Sequence, residues 1–143
     1  MKGNQIRFLA AILSIMAMPV GLFAQDKAKD EEAVRNTALD YIQGWYDADG
    51  SRMQRALHPD LLKRGLIGDN LQSVAADGMV NYTRNGMGKN RPGKKEKEIT
   101  ILDMAGAIAA VKVVSDYFID YLQLGKVGGR WVIINVLWVY KNP

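Results

Sequence analysis

Two different periodicities divide the chain. From Asp30 to Tyr46 the apolar positions Val34, Ala38, Tyr41, Ile42 and Trp45 recur at steps of three and four, and Glu31, Glu32, Arg35 and Asp40 fall largely elsewhere. That spacing predicts an amphipathic helix, and its acidic start suits the positive end of the helix dipole. Asp47-Ala-Asp-Gly-Ser51 ends it, with Asp49 or Ser51 placed to cap a short second helix carrying Met53, Ala56 and Leu57. His58-Pro59 breaks that helix, because the proline ring pushes the residue before it out of the helical region. Asp60 then caps a further turn through Leu61 and Leu62, closing at Gly65. Ser73 to Arg84 reads as a third helix, stopped by Asn85-Gly86.

Beyond a Gly- and Lys-rich stretch from Gly86 to Lys97, alternation replaces the helical period. Glu98 to Met104, Ala107 to Val114, Phe118 to Lys126 and Arg130 to Lys141 are the candidate strands. Their short connections predict sequential antiparallel hairpins. Helices followed by a meander give an α+β fold, with N-terminal helices packed on one face of a curved antiparallel sheet. No repeat and no linker interrupts residues 25–143, so a single domain is expected there.

Residues 1–24 have the layout of an export signal: Lys2 and Arg7, an apolar run from Phe8 to Val20, and Ala24 before the expected cleavage point. The run is shorter than the ~20 residues of a spanning helix, so membrane contact is expected only through this segment before cleavage. The charge changes accordingly. The full chain of 143 residues carries 19 Lys plus Arg against 15 Asp plus Glu, a formal net of +4. Cleavage removes two basic residues and leaves 17 against 15, a net of +2. The expected location is periplasmic or secreted, and the absence of cysteine suits an oxidising compartment.

The missing cysteine also excludes zinc ribbons, thiol chemistry and disulfide scaffolds, and His58 as the one histidine excludes a multi-histidine metal site. Asp47-Ala-Asp-Gly-Ser51 fails as a calcium loop, since aligning its glycine puts Trp45 first and Ala56 twelfth. Gly86-Met-Gly88 lacks the strand before and helix after that a phosphate loop needs. Neither a metal nor a cofactor is expected. Lys89, Arg91, Lys94, Lys95 and Lys97, with Glu96, give the 86–97 stretch a local net of +4. Such a run reads first as a solvated loop and second as a contact for an anionic ligand or lipid head group. It has no interleaved aromatics for stacking on bases, and export argues against nucleic acid.

Tyr117, Phe118, Tyr121, Trp131, Trp138 and Tyr140 crowd the sheet half. Rings on a pleated surface serve as core or cross-strand partners, but a curved sheet closed by helices also leaves an apolar cavity for a small molecule. Asp120 and Asn135 interrupt apolar strands. Buried without a partner, each costs ~1–3 kcal/mol, so a structural network or a ligand must satisfy it. His58 carries the one imidazole, the side-chain type suited to moving protons in neutral solution; it either caps its own turn or reaches the cavity mouth, where a pairing with Asp120, Tyr41 or Tyr117 gives acid–base chemistry.

The stretch Asp120-Tyr-Leu-Gln-Leu-Gly-Lys-Val-Gly-Gly-Arg-Trp-Val-Ile-Ile-Asn-Val-Leu-Trp138, following an Ala-rich strand with Lys112, closely resembles the closing hairpin of the putative lumazine-binding family. That family lies within the nuclear transport factor 2-like and SnoaL-like superfamily. The helix with Tyr41 and Trp45, the Asp49-Gly50 turn and Ala56-Leu-His-Pro-Asp60 resemble the family's first half, so the likeness runs from about Glu31 to Lys141. Gln123 stands where many members carry a histidine. The resemblance implies a cone-shaped α+β barrel enclosing a pocket, commonly dimeric through its outer sheet face. It implies no particular reaction, because isomerases, dehydratases, cyclases and binding proteins share this fold.

The first expectation is an exported small-molecule-binding protein for a lumazine-like or other heterocycle, without chemistry of its own. Tyr41 and Trp45 form the helix side of the pocket, Asp120, Tyr121 and Asn135 the sheet side, and His58 the mouth. A cofactor-free isomerase, dehydratase or cyclase is the first alternative, with His58 or Asp120 moving a proton and a tyrosine donating to an oxyanion. An envelope module that dimerises or docks through its sheet face is the second.

Overall fold

The first amphipathic pattern folds as α1 (Val20–Asp47), followed by α2 (Gly50–Ala56), whose N-cap Asp49 accepts from the Arg52 backbone N–H at 2.9 Å. The computed structural model describes residues 20–142, with side chains from Asp26 onward. The leader expected over residues 1–24 lies outside the described residues, except for the backbone of 20–24, which begins α1. From Asp30 onward α1 is tied to the sheet. Asp30 accepts from the Trp131 indole N–H at 2.9 Å and from Lys126 at 2.7 Å, Thr37 Oγ1 donates to the Trp131 carbonyl at 3.0 Å, and Arg35 donates to the Ile99 carbonyl at 3.0 Å.

The segment after His58 departs from the helical expectation. It forms β1 (Leu57–Ile67) and β2 (Asn70–Ala75), so α3 (Ala76–Arg84) starts later than Ser73. The period explains why. Leu61, Lys63 and Gly65 face inward while Leu62, Arg64 and Leu66 face outward, an alternation that no helical turn accommodates. Ile67 pairs with Asn70 across a two-residue turn in which Gly68 takes φ 57°, a conformation that glycine adopts without steric cost.

The remaining strands are β3 (Glu98–Ala105), β4 (Ile108–Val114), β5 (Phe118–Val127) and β6 (Arg130–Tyr140), close to the expected bounds. The sheet order is β2-β1-β6-β5-β4-β3. The sheet is mixed rather than wholly antiparallel, because β1 pairs parallel with β6 while every other neighbour is antiparallel. It is open, with β2 and β3 at its edges. The α+β class holds, with helices on the concave face. Val34, Ala38, Tyr41 and Ile42 of α1 meet Val111, Val113, Leu122, Leu124, Ile133 and Val136 in the core, and each fully buried aliphatic side chain contributes ~1.5–3 kcal/mol.

Two local features set which side chains face inward. Between Gln123 and Leu124 the β5–β6 register slips, leaving Ile134 unpaired as a bulge. Ile133 faces the core on one side of it, and Val136 faces the core on the other. A bulge of this kind reverses the inward parity of the residues beyond it, which brings Trp138 and Tyr140 to the concave face. Gly65 lies opposite Trp138 in the parallel register, and a Cβ there would stand 2.1 Å from the indole. Gly65→Ala should therefore displace Trp138, lowering stability by ~1–3 kcal/mol as overpacked cores do. The measurements are the urea midpoint and the near-ultraviolet circular dichroism of the indole.

Candidate functional site

A cavity of about 280 Å3 lies between α1, β1, the end of β6, α3 and the 86–97 loop. Its floor is polar and its walls are aromatic. Tyr41 reaches it from the inward stripe of α1, and Trp45 follows one turn later. Lys63 arrives from the inward parity of β1, Asp120 from that of β5, and Trp138 and Tyr140 from β6 after the bulge.

Lys63, Asp120 and Tyr41 form a closed triangle. Lys63 Nζ donates to Asp120 Oδ1 and to the Tyr41 hydroxyl, both at 2.5 Å, and that hydroxyl donates to Asp120 Oδ1 at 3.3 Å. Asp120 is 2% exposed and Lys63 8%. Burial foremost, and then the adjacent Asp120 charge, push the Tyr41 phenol well above its usual value of 10.0. Tyr41 is thus a neutral donor. Lys63 Nζ also stands 5.2 Å from the Tyr41 ring centroid, 5.5 Å from Trp138 and 5.9 Å from Phe118, an aromatic box that favours a cation.

The triangle leaves hydrogen-bonding capacity over. An ammonium carries three donors, and the protein uses two. Asp120 Oδ2 has no hydrogen-bond partner among the described residues, whereas Oδ1 has two. The floor therefore holds one donor and one acceptor that no described residue engages. Above it, Phe118 meets Trp138 edge-on at 5.0 Å, and Trp138 meets Tyr140 edge-on at 5.3 Å. Trp45 is seated against the loop backbone, where a Cβ on Gly88 would come within 2.4 Å of the indole.

Tyr41, Trp45 and Asp120 thus converge on one cavity, and the other sequence candidates lie elsewhere. Tyr121 follows Asp120 on a pleated strand, so it points to the opposite face and is 47% exposed. The bulge puts Asn135 on that outer face too, where its Nδ2 donates to Gln123 Oε1 at 3.3 Å. His58 does not line the cavity. Its Nδ1 accepts from the Asp60 backbone N–H at 3.1 Å, so it closes its own turn rather than pairing with Asp120. Lys63 on the floor is a cavity residue that residue order did not single out, and Arg91 on the wall was named only as one of five basic residues in the 86–97 stretch. Alternation over Leu57–Ile67 carries the signal for Lys63: it is a lysine on the apolar parity of a strand.

The family model described as putative lumazine-binding matches residues 29–139. The chain belongs to this family. Curated proteins give no match. Among solved structures, a nuclear transport factor 2-like protein of unknown function from Silicibacter pomeroyi is similar with a TM-score of 0.67 at 16% identity, covering 80% of this chain and 98% of that one. Another of unknown function, from Methylobacillus flagellatus, gives 0.63 at 24% identity, covering 78% and 92%. A hexachlorocyclohexane dehydrochlorinase gives 0.57 at 11% identity, covering 82% and 89%. These likenesses establish the cone-like curved sheet of the nuclear transport factor 2-like fold, and the family membership points to small-molecule binding within it.

Asp120→Asn leaves the Lys63 ammonium buried without its counter-charge, and breaking a buried pair in this way costs ~3–5 kcal/mol. Lys63→Met with Asp120→Leu removes both charges and should cost clearly less than the sum of the single changes, as read from urea denaturation of all three variants. Tyr41 gives a pH prediction. Its folded value lies above its unfolded one, so the stability it contributes is complete below pH ~10 and lost as pH rises beyond. Tyr41→Phe should flatten the alkaline decline of the thermal midpoint.

Proposed function

We propose that this protein binds a small planar heterocycle of the lumazine type in the cavity and performs no chemistry on it. The observation that carries this reading is the donor–acceptor pair on the floor: the third Lys63 N–H and the free Asp120 Oδ2. A ring imide or lactam presents the complement, a carbonyl next to an N–H, along one edge. Trp45 and Trp138 supply apolar faces for the ring, and the volume sits at the small end of ligand pockets. Binding is favoured over catalysis by the same triangle. Asp120 Oδ1 accepts one hydrogen bond from Lys63 and one from Tyr41, so Tyr41 directs its proton to Asp120 instead of offering it to an oxyanion.

Lys2 and Arg7, the apolar run from Phe8 to Val20 and Ala24 support a working protein that acts outside the cytoplasm. Cleavage after Ala24 shortens α1 only upstream of Asp30, where its bonds to the sheet begin. The outer sheet face suits a second copy of this chain. Leu66, Leu137, Val139 and Tyr121, on the adjacent strands β1, β6 and β5, are 44%, 48%, 37% and 47% exposed on one side of the sheet. This apolar band favours pairing of two such faces.

Isothermal titration with lumazine should give saturable binding that Lys63→Met weakens tenfold or more. Native mass spectrometry of protein purified from its own cells should show a bound small molecule. A wild-type protein that neither takes up lumazine nor retains any small molecule contradicts the proposal. Light scattering should give a dimer that Leu137→Glu converts to a monomer, and a monomeric wild type rules out the pairing.

A further inference from the structure

The charges around the cavity do not cancel. Lys63 and Asp120 neutralise each other on the floor, and Arg91 is the remaining charged side chain on the wall. Among the described residues Arg91 has no carboxylate partner, and its guanidinium makes no hydrogen bond. It is nevertheless held in place. Its Cζ stands 5.2 Å from the ring centroids of both Tyr117 and Phe118, and Phe118 itself lines the cavity. Contact with two rings restrains the guanidinium, and no described residue engages its N–H groups.

The backbone carrying Arg91 is equally fixed. Lys95 Nζ gathers the carbonyls of Gly88, Lys89 and Arg91 at 3.0, 2.9 and 2.9 Å, and the Tyr117 hydroxyl donates to the Pro92 carbonyl at 2.5 Å. Asp116 then accepts from the backbone N–H groups of Lys95 and Glu96 at 2.8 and 3.1 Å. Gly93, at φ 146°, lies so close to Asp116 that a Cβ would come within 2.3 Å of its carboxylate. Lys89, Lys94 and Lys97 of the basic run are exposed, as a solvated loop would have them, but two of its residues are not free. Lys95 is engaged in folding it, and Arg91 is the residue it presents to the cavity.

We infer that the ligand carries an acidic substituent, a carboxylate, sulfonate or phosphate, which Arg91 receives while the ring system occupies the aromatic cavity. This rests on the binding reading above and specifies its ligand class. A planar guanidinium pairs with such oxyanions through two parallel hydrogen bonds, and one already held against two rings loses less freedom in doing so. An uncharged ring of the same size uses the floor and walls but leaves Arg91 without a counter-ion.

The test uses two fluorescent probes that differ by one sulfonate: 8-anilino-1-naphthalenesulfonate and uncharged N-phenyl-1-naphthylamine. Wild type should bind the sulfonate at least tenfold more tightly. Arg91→Met should abolish that preference by weakening the sulfonate at least tenfold more than the uncharged probe, whose retained binding checks that the cavity is intact, and Arg91→Lys should restore part of the preference. Equal affinities in wild type, or a preference that survives Arg91→Met, overturn the inference and leave the cavity reading standing. A Ser73→Trp variant, which fills the wall, separates the two failures: probes that bind it as they bind wild type overturn the cavity reading itself, and this inference with it.

Discussion

A carboxylate and an ammonium withdrawn from water hold the three walls of this protein together. Asp120 sits on β5, Lys63 on β1 and Tyr41 on α1, and each is bonded to the other two. Removing such charges from water costs several kcal/mol per ion, so the pair persists only in the one arrangement that brings all three elements into register. A slip of β1 by a single residue would turn Lys63 to the outer face and leave Asp120 buried beside an uncharged Tyr41. The same interaction that fixes the register creates the polar floor. Structure and site are one feature here.

The walls depend on small residues and irregularities rather than on further bonds. Trp138 lies flat because Gly65 opposite it has no side chain, and Trp45 is closed in by the backbone of Gly88. The bulge at Ile134 lets β6 serve the hydrophobic core with Ile133 and the cavity with Trp138 and Tyr140. Without it, strict alternation from Ile133 would send Asn135 inward and Trp138 out. Trp138 thus joins the aromatic box around Lys63 from a strand whose parity changes partway along, next to a strand with a gap of one side chain.

The basic segment 86–97 shows how composition and placement diverge. Its net charge suggests solvation, yet the Lys95 ammonium is wrapped by three carbonyls and packs 5.1 Å from the Tyr46 ring. Tyr46 in turn donates to the Glu96 carbonyl at 2.9 Å and accepts from the Asp116 N–H at 3.0 Å. The loop is consequently pinned to α1 and to the turn before β5.

The α1 stripe, the four strands from Glu98 to Tyr140, the family and three cavity residues were legible from residue order, because long elements with one buried face write their period into the chain. Leu57–Ile67 was not legible as a strand. His58-Pro59 and Gly65 mimic helix punctuation, and its inward set includes a lysine and a glycine whose reasons lie on β5 and β6. Nor did residue order show that β1 runs parallel to β6 or that the bulge turns Asn135 outward, whereas Asp120 and Tyr121, adjacent on one strand, cannot both face the cavity. Local sequence determined which segments could be helices or strands, since that depends on neighbours a few positions away. Only the tertiary structure decided which faces meet, because the partners of Lys63, Gly65 and Arg91 lie far along the chain and nothing beside them in the sequence names them.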